Sequence, residues 1–216
     1  MSKPHRETIA CPHCKASSDF TVWDSVNTMI DPELKDKVIN GQLFEWTCPS
    51  CGYKATVDYR ILYHEMEKQA MIFFVPGDPQ DAIMELEEVF HNIEKDFSVG
   101  QNYRIRVVSS INQLREKAMI LEASLDDRLI EIMKAFMIAH MKDNRMSELL
   151  FEMTQKGEKR FAARNNKDKW GIIEFQQSLY DKTSEVFMPK FENSGKNDYI
   201  VNLDWAIETI KADQNS

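Results

Sequence analysis

The apolar and polar positions change period along the chain, and each change marks a predicted element. Residues 19 to 27, DFTVWDSVN, and 42 to 47, QLFEWT, carry the β-branched and aromatic side chains that suit a pleated surface, so both are expected to be strands. Between them, DPELKDKVING holds helix punctuation. Asp31 can cap free amides, Pro32 fits the first helical position, and Gly41 can close the C-terminus in a left-handed conformation, which predicts a short helix over 32 to 39. Tyr53 to Tyr59 reads as strand, and Ile61 to Tyr63 faces Ala70 to Val75 across the polar HEMEKQ turn, carrying the sheet to about Pro76.

Beyond Pro76 the period lengthens. GDPQDAIMELEEVFHNIEKDF repeats the helix-start chemistry, with Asp78 as cap, Pro79 inside it, and Ile83, Leu86, Phe90, Ile93 and Phe97 on one stripe. YRIRVV, 103 to 108, predicts a strand with arginines outward. Two helices follow, capped by Ser110 with Gln113 and by Ser124 with Asp127, so the long apolar stretch is expected to bend near Ser124. Leu125, Leu129, Ile132, Met133, Phe136, Met137 and His140 share one face of the second helix. From Glu148, LLFEMT, KRFAAR and WGIIEF alternate with the turn compositions QKGE and NNKDK, a three-stranded meander. FENSGKND then leads to a last helix that Asn202 can cap, packing Trp205 and Ile210.

With the C-x2-C pairs Cys11/Cys14 and Cys48/Cys51 at two strand ends, these elements predict an α+β protein: a zinc ribbon on an antiparallel N-terminal sheet, a helical middle, and a C-terminal β-meander with a final helix. The division expected is residues 5 to 140 and 146 to 216, with MKDNRM, 141 to 146, as the joint. Composition narrows the function. A chain of 216 residues, 43% hydrophobic, can bury a substantial core, and a net charge of −8 disfavours non-specific adhesion to nucleic acid or anionic lipid. No apolar run is long enough to cross a bilayer. The opening MSKPHRETIA resembles no secretion signal, so a cytoplasmic setting is expected, one that keeps thiols reduced.

All four cysteines fall into two C-x2-C pairs, Cys11 with Cys14 and Cys48 with Cys51, separated by 33 residues. A C-x2-C pair on a tight turn at a hairpin tip aims both sulfurs at one centre, and two such turns complete a tetrahedron. The helical insert explains the long spacing. Cys51 is followed by Gly52, free to take the positive φ that aims amides at the sulfurs, whereas Lys15 stands at that place in the first turn. One structural Zn2+ is the cofactor expected. Ligand type alone also admits iron, as in rubredoxin-like electron carriers.

The C-P-H-C opening, WDSVN, DPELKDKVINGQ, C-P-S-C-G, ILYHEMEK and LDDRLIEIMK together resemble the CpXC domain family of bacterial and archaeal proteins, over about residues 5 to 135. The resemblance implies a zinc-binding fold, with Cys11, Cys14, Cys48 and Cys51 as its binding residues, in a family whose role is uncharacterised. It implies no reaction.

The remaining candidates have plain structural readings. His64, His91 and His140 are expected to be packed or surface histidines, and His13, between two metal cysteines, to point outward. Asp126, Asp127 and Arg128 sit at a helix start, where capping accounts for the acids. Residues 156 to 169 hold Lys156, Lys159, Arg160, Arg164, Lys167 and Lys169 against Glu158 and Asp168, a local +4. With Phe161 and Trp170 interleaved, that hairpin could grip phosphates and stack bases, yet lysines guarding a strand edge explain it as well. No Walker loop, G-x-G-x-x-G, G-x-S-x-G or H-E-x-x-H occurs. The expected function is a non-catalytic, zinc-stabilised module that binds another protein. The alternatives are an iron electron carrier and a nucleic-acid or nucleotide binder using the basic hairpin.

Overall fold

A computed structural model describes residues 2–95, 103–141, 146–194 and 198–214. The chain divides into two compact units, Met1–Arg115 and Glu116–Ser216. The joint expected at 141 to 146 falls mostly on residues outside the described ones, as do Phe97 and the side chain of Ile93.

In the first unit, strands β1 (Lys3–Ala10), β2 (Ser17–Asn27), β5 (Ile61–Glu65), β6 (Ala70–Phe74) and β7 (Arg104–Val108) form one sheet in the order β1-β2-β5-β6-β7. Short strands β3 (Glu45–Thr47) and β4 (Lys54–Thr56) make a separate hairpin. The large sheet is mixed, not antiparallel as expected: β2 runs parallel to β5, and β6 parallel to β7. The connections explain this. Between β2 and β5 lie helix α1 (Glu33–Ile39) and the β3–β4 hairpin, and between β6 and β7 lies α2 (Pro79–Lys95), each long enough for a parallel crossover.

Local chemistry accounts for the finer differences. Pro32 precedes α1 with no side-chain cap, so Asp31 contributes its carbonyl, to the Leu34 amide at 3.1 Å, and not its carboxylate. Gly41 does close the helix at φ 79°, donating to Val38 O at 3.0 Å. The strand expected from residue 42 begins with a 3-10 turn, Gln42–Phe44, that buries Leu43 and Phe44 next to each other. Asp78 accepts from the Gln80 amide at 2.8 Å, as its capping position predicts. Arg106, expected outward, is only 4% exposed, and its guanidinium donates to Ile105 O at 2.8 Å. Strands β6 and β7 are covered on both faces, where alternation no longer marks an outside. Phe74 meets Phe44 edge-on at 5.9 Å, and Phe73 meets Phe90 of α2 at 5.2 Å.

The division between units falls within α3 (Ile111–Glu122). Ser110 Oγ accepts from the Gln113 amide at 3.2 Å, while the Gln113 side chain returns to the Ser109 amide at 3.0 Å. The chain bends at Ser124 as expected, by a different device. Ser124 takes φ 54°, its amide bonds Leu121 O, and the Leu125 amide bonds Ile120 O, which together end α3 in a Schellman motif. The cap of α4 (Asp127–His140) is therefore Asp126, accepting from the Arg128 amide at 2.9 Å, and not Ser124.

The second unit then forms the expected meander, β8 (Met146–Met153), β9 (Lys159–Asn165) and β10 (Trp170–Glu174), all antiparallel with β9 central. Helix α5 (Gln177–Ser194) was not expected; Pro189 interrupts its pattern, yet Thr183 and Phe187 are buried. Helix α6 (Leu203–Gln214) is capped by Asn202, which accepts from the Trp205 amide at 2.9 Å. Leu129, Ile132, Ala135, Phe187 and Ala206 make the core between α4, α5 and α6, with Trp205 and Ile210 packed on it. No helix of the described residues is long and apolar enough to cross a membrane.

Candidate metal centre

Two hairpin tips bring the thiols together. The turn from β1 to β2 holds Cys11 and Cys14, and the turn from β3 to β4 holds Cys48 and Cys51. Both turns use the same backbone bonds. The Cys11 amide donates to Ala16 O at 2.9 Å and the Lys15 amide to Cys11 O at 2.9 Å; the Cys48 amide donates to Tyr53 O at 2.8 Å and the Gly52 amide to Cys48 O at 2.9 Å. Lys15 takes φ 63° where Gly52 takes φ 74°, so the unlike residues reach one geometry. The left-handed conformation costs a lysine about 1–2 kcal/mol, and Lys15 Nζ donates across its own turn to Pro12 O at 3.1 Å.

The four Sγ atoms lie within 4.8 Å of one another. The short distances join the two turns: Cys11 to Cys51 at 3.7 Å and Cys14 to Cys48 at 3.6 Å. Tetrahedral zinc with Zn–S of about 2.3 Å sets sulfurs about 3.8 Å apart, so the spacing fits one ion of that size. All four are free thiols; Cys11 and Cys48 are buried, while Cys14 and Cys51 are exposed. Phe20, Val22 and Trp46 pack against the buried pair, with Ile9, Ala55, Val57 and Tyr59 around them. Trp46 also donates to Ser18 Oγ at 3.1 Å, tying the two hairpins together beside the sulfurs.

Proton affinity is uneven within the set. Burial pushes the Cys48 thiol up, but hydrogen bonds from the Cys51 and Ser50 amides and from the side chains of Cys14 and Cys51 outweigh it, bringing Cys48 down to about 6. At Cys51 the Tyr53 amide works downward, yet burial and the neighbouring sulfurs of Cys14, Cys48 and Cys11 push it up to about 12. One sulfur is thus prepared as a thiolate, and a divalent ion would supply the charge that ionises the rest.

Among the described residues these cysteines are the one group of three or more His, Cys, Asp or Glu side chains placed to hold a metal. His13 stacks on Tyr53, rings 6.1 Å apart and 4° from parallel, outside that group. His64 Nε2 lies 2.6 Å from Tyr103 OH, and burial lowers its proton affinity. His140 Nδ1 lies 2.8 Å from Phe136 O, and His91 is exposed. Asp126 holds Arg128 at 2.7 Å, and Asp127 holds Lys117 at 3.1 Å.

The basic hairpin is largely neutralised by its own sheet. Arg160 pairs with Glu152 at 3.0 Å, and Arg164 with Asp168 at 2.8 Å and Glu148 at 3.7 Å. Lys159 stands over the Phe175 ring and Arg164 over Trp170. Counting Glu148 and Glu152 sets six cations against four carboxylates, so the local +4 falls to +2. Lys167 and Lys169 remain exposed at the turn.

Two buried polar clusters have no local signature in the sequence. Glu65, 3% exposed, accepts from Thr28 Oγ1 at 2.8 Å and Tyr63 OH at 2.9 Å and pairs with Lys35 at 3.3 Å, joining α1 to β5. In the second unit, buried Lys117 pairs with Asp127 and Glu131, and buried Lys134 with Glu116 at 3.0 Å and Glu131 at 2.9 Å. Glu65 falls in the stretch that reads as a polar turn, and no local pattern marks Glu116, Lys117, Glu131 or Lys134 as buried.

A mixed-sheet α+β protein carrying four convergent thiols on two hairpin turns is a zinc-ribbon-like, metal-capable class. The model of the CpXC protein family matches residues 9–134, more than half of the chain, and the chain belongs to that family. No curated protein and no solved structure matches it.

Proposed function

We propose that Cys11, Cys14, Cys48 and Cys51 hold one zinc ion, that the ion is structural, and that the zinc-fastened hairpins form a non-catalytic module binding another protein in the cytoplasm. The convergence of four thiols from two separate turns carries the reading. Four thiolates fill a tetrahedral ion, leaving no place for water or substrate, which separates structural zinc from catalytic zinc. A reducing compartment would keep these thiols free for the metal. The interaction role is supported by apolar side chains left outside the first unit: Met29 and Ile30, consecutive after β2, are 62% and 55% exposed, and Tyr53 of the second turn is 41% exposed.

Cobalt replacement tests the coordination. The account expects the visible spectrum of a tetrahedral four-thiolate ion, unchanged by azide or cyanide. A spectrum that shifts with added anion would reveal an open position and replace the structural reading with a catalytic one. For the interaction role, photo-crosslinking from position 30 in cells should give a discrete protein adduct that disappears in Cys48→Ser. An adduct that survives loss of the metal site would separate the partner surface from the zinc.

A further inference from the structure

We infer that the cavity at the C-terminal end of α4 binds a small molecule with a single aromatic ring and a hydrogen-bond donor on its edge. The cavity holds about 170 Å3. An apolar cavity of about 150 Å3 takes one benzene-sized ring; this one opens to solvent where His140, Glu174 and Gln176 are exposed, and its space matches one substituted ring.

The walls are soft and apolar. Met133, Met137 and Met141 recur every four residues and line one side, facing Phe161, Ile173 and Leu179. Met133 and Met137, four residues apart, share one face of α4, Met141 follows directly after the helix in extended backbone, and sulfur against a ring edge is a favourable contact. The polar groups set the ligand's orientation. His140 lines the cavity, and its Nδ1 lies 2.8 Å from Phe136 O. A carbonyl only accepts, so Nδ1 carries the hydrogen and Nε2 of the neutral ring is an acceptor. Glu174 adds carboxylate oxygens, and Gln176 an amide. Two acceptors beside an apolar slot select a phenol O–H or an aromatic N–H and repel an aromatic acid.

Every lining residue except Met133 lies beyond residue 134, where the family match ends. The site therefore belongs to what this chain adds after the family region, and none of the four cysteines lines it.

The test uses the full-length protein with methyl-labelled methionine, titrated with p-cresol and with p-xylene, which has the same shape but no donor. Saturable shifts at Met133, Met137 and Met141 are expected with p-cresol, about three- to ten-fold tighter than with p-xylene, the span of one hydrogen bond. Met137→Trp should fill the cavity and abolish the shifts. If that variant does not fold, His140→Leu, at the exposed end of the helix, should still bind rings but lose the preference for p-cresol. No saturable shift with either probe would overturn the proposal. So would p-xylene binding as tightly as p-cresol, shifts unchanged in folded Met137→Trp, or a full preference retained in His140→Leu.

Discussion

The two units are held by opposite means. Around the thiols, the first unit has strands of three residues and a small cluster of Phe20, Val22 and Trp46 over Cys11 and Cys48. The second unit surrounds Leu129, Ile132 and Phe187 with helices and adds six buried charges, Glu116, Lys117, Asp126, Asp127, Glu131 and Lys134. Short hairpins are marginal alone, so on the proposed function the first arrangement would draw its stability from an ion held by the four thiols. The second carries its charges with it.

Removing the ion should have the largest effect. Structural zinc contributes about 10–16 kcal/mol in small metal-folded units. In Cys48→Ser, amide exchange should lose protection across residues 7 to 60, whereas α4, α5 and α6 should keep theirs. Loss of protection in both units together would show that the second also depends on the metal. Next in size, Lys134→Met leaves Glu116 and Glu131 buried without that cation, at a cost of roughly 3–5 kcal/mol to the second unit. Denaturant unfolding should show the loss there, with zinc affinity unchanged.

Acid should separate the units as well. A thiol lowered to about 6 favours the folded site above that pH and loses its contribution as pH falls through it. Protons compete with the metal for the thiolates, so zinc affinity measured against a chelating dye should fall as pH falls. Lys134 behaves oppositely: burial opposes its charge, but Glu116 and Glu131 outweigh it and raise its proton affinity. Its contribution is present below the ordinary lysine value of 10.5 and is lost only as pH rises beyond it. The smallest effects come from single left-handed residues. Lys15→Gly and Ser124→Gly should each stabilise their own unit by roughly 0.5–1 kcal/mol, read by thermal melts, because glycine relieves the strain at φ 63° and 54°.

Much of this was legible where local chemistry decides the outcome. The Cys pairs, Gly41, Asp78, Asn202 and the meander from Glu148 all act through neighbours within a few residues. What escaped depends on distant partners. β1 is polar on both faces because it is an edge strand exposed on each side, so it shows no alternation. The parallel pairings follow from crossovers that no single stretch displays. Lys134 lies between apolar neighbours, and only the fold brings Glu116, eighteen residues earlier, to meet it. For α5, Pro189 obscured a helix whose burial comes from α4 and α6.

Elemental analysis with an absorption spectrum, on protein purified without added metal or chelator, decides whether the four thiols hold zinc. One equivalent of zinc per chain in a colourless sample is expected. Iron with visible thiolate bands would make this a redox protein, and a folded chain without metal would contradict the structural role of the four cysteines.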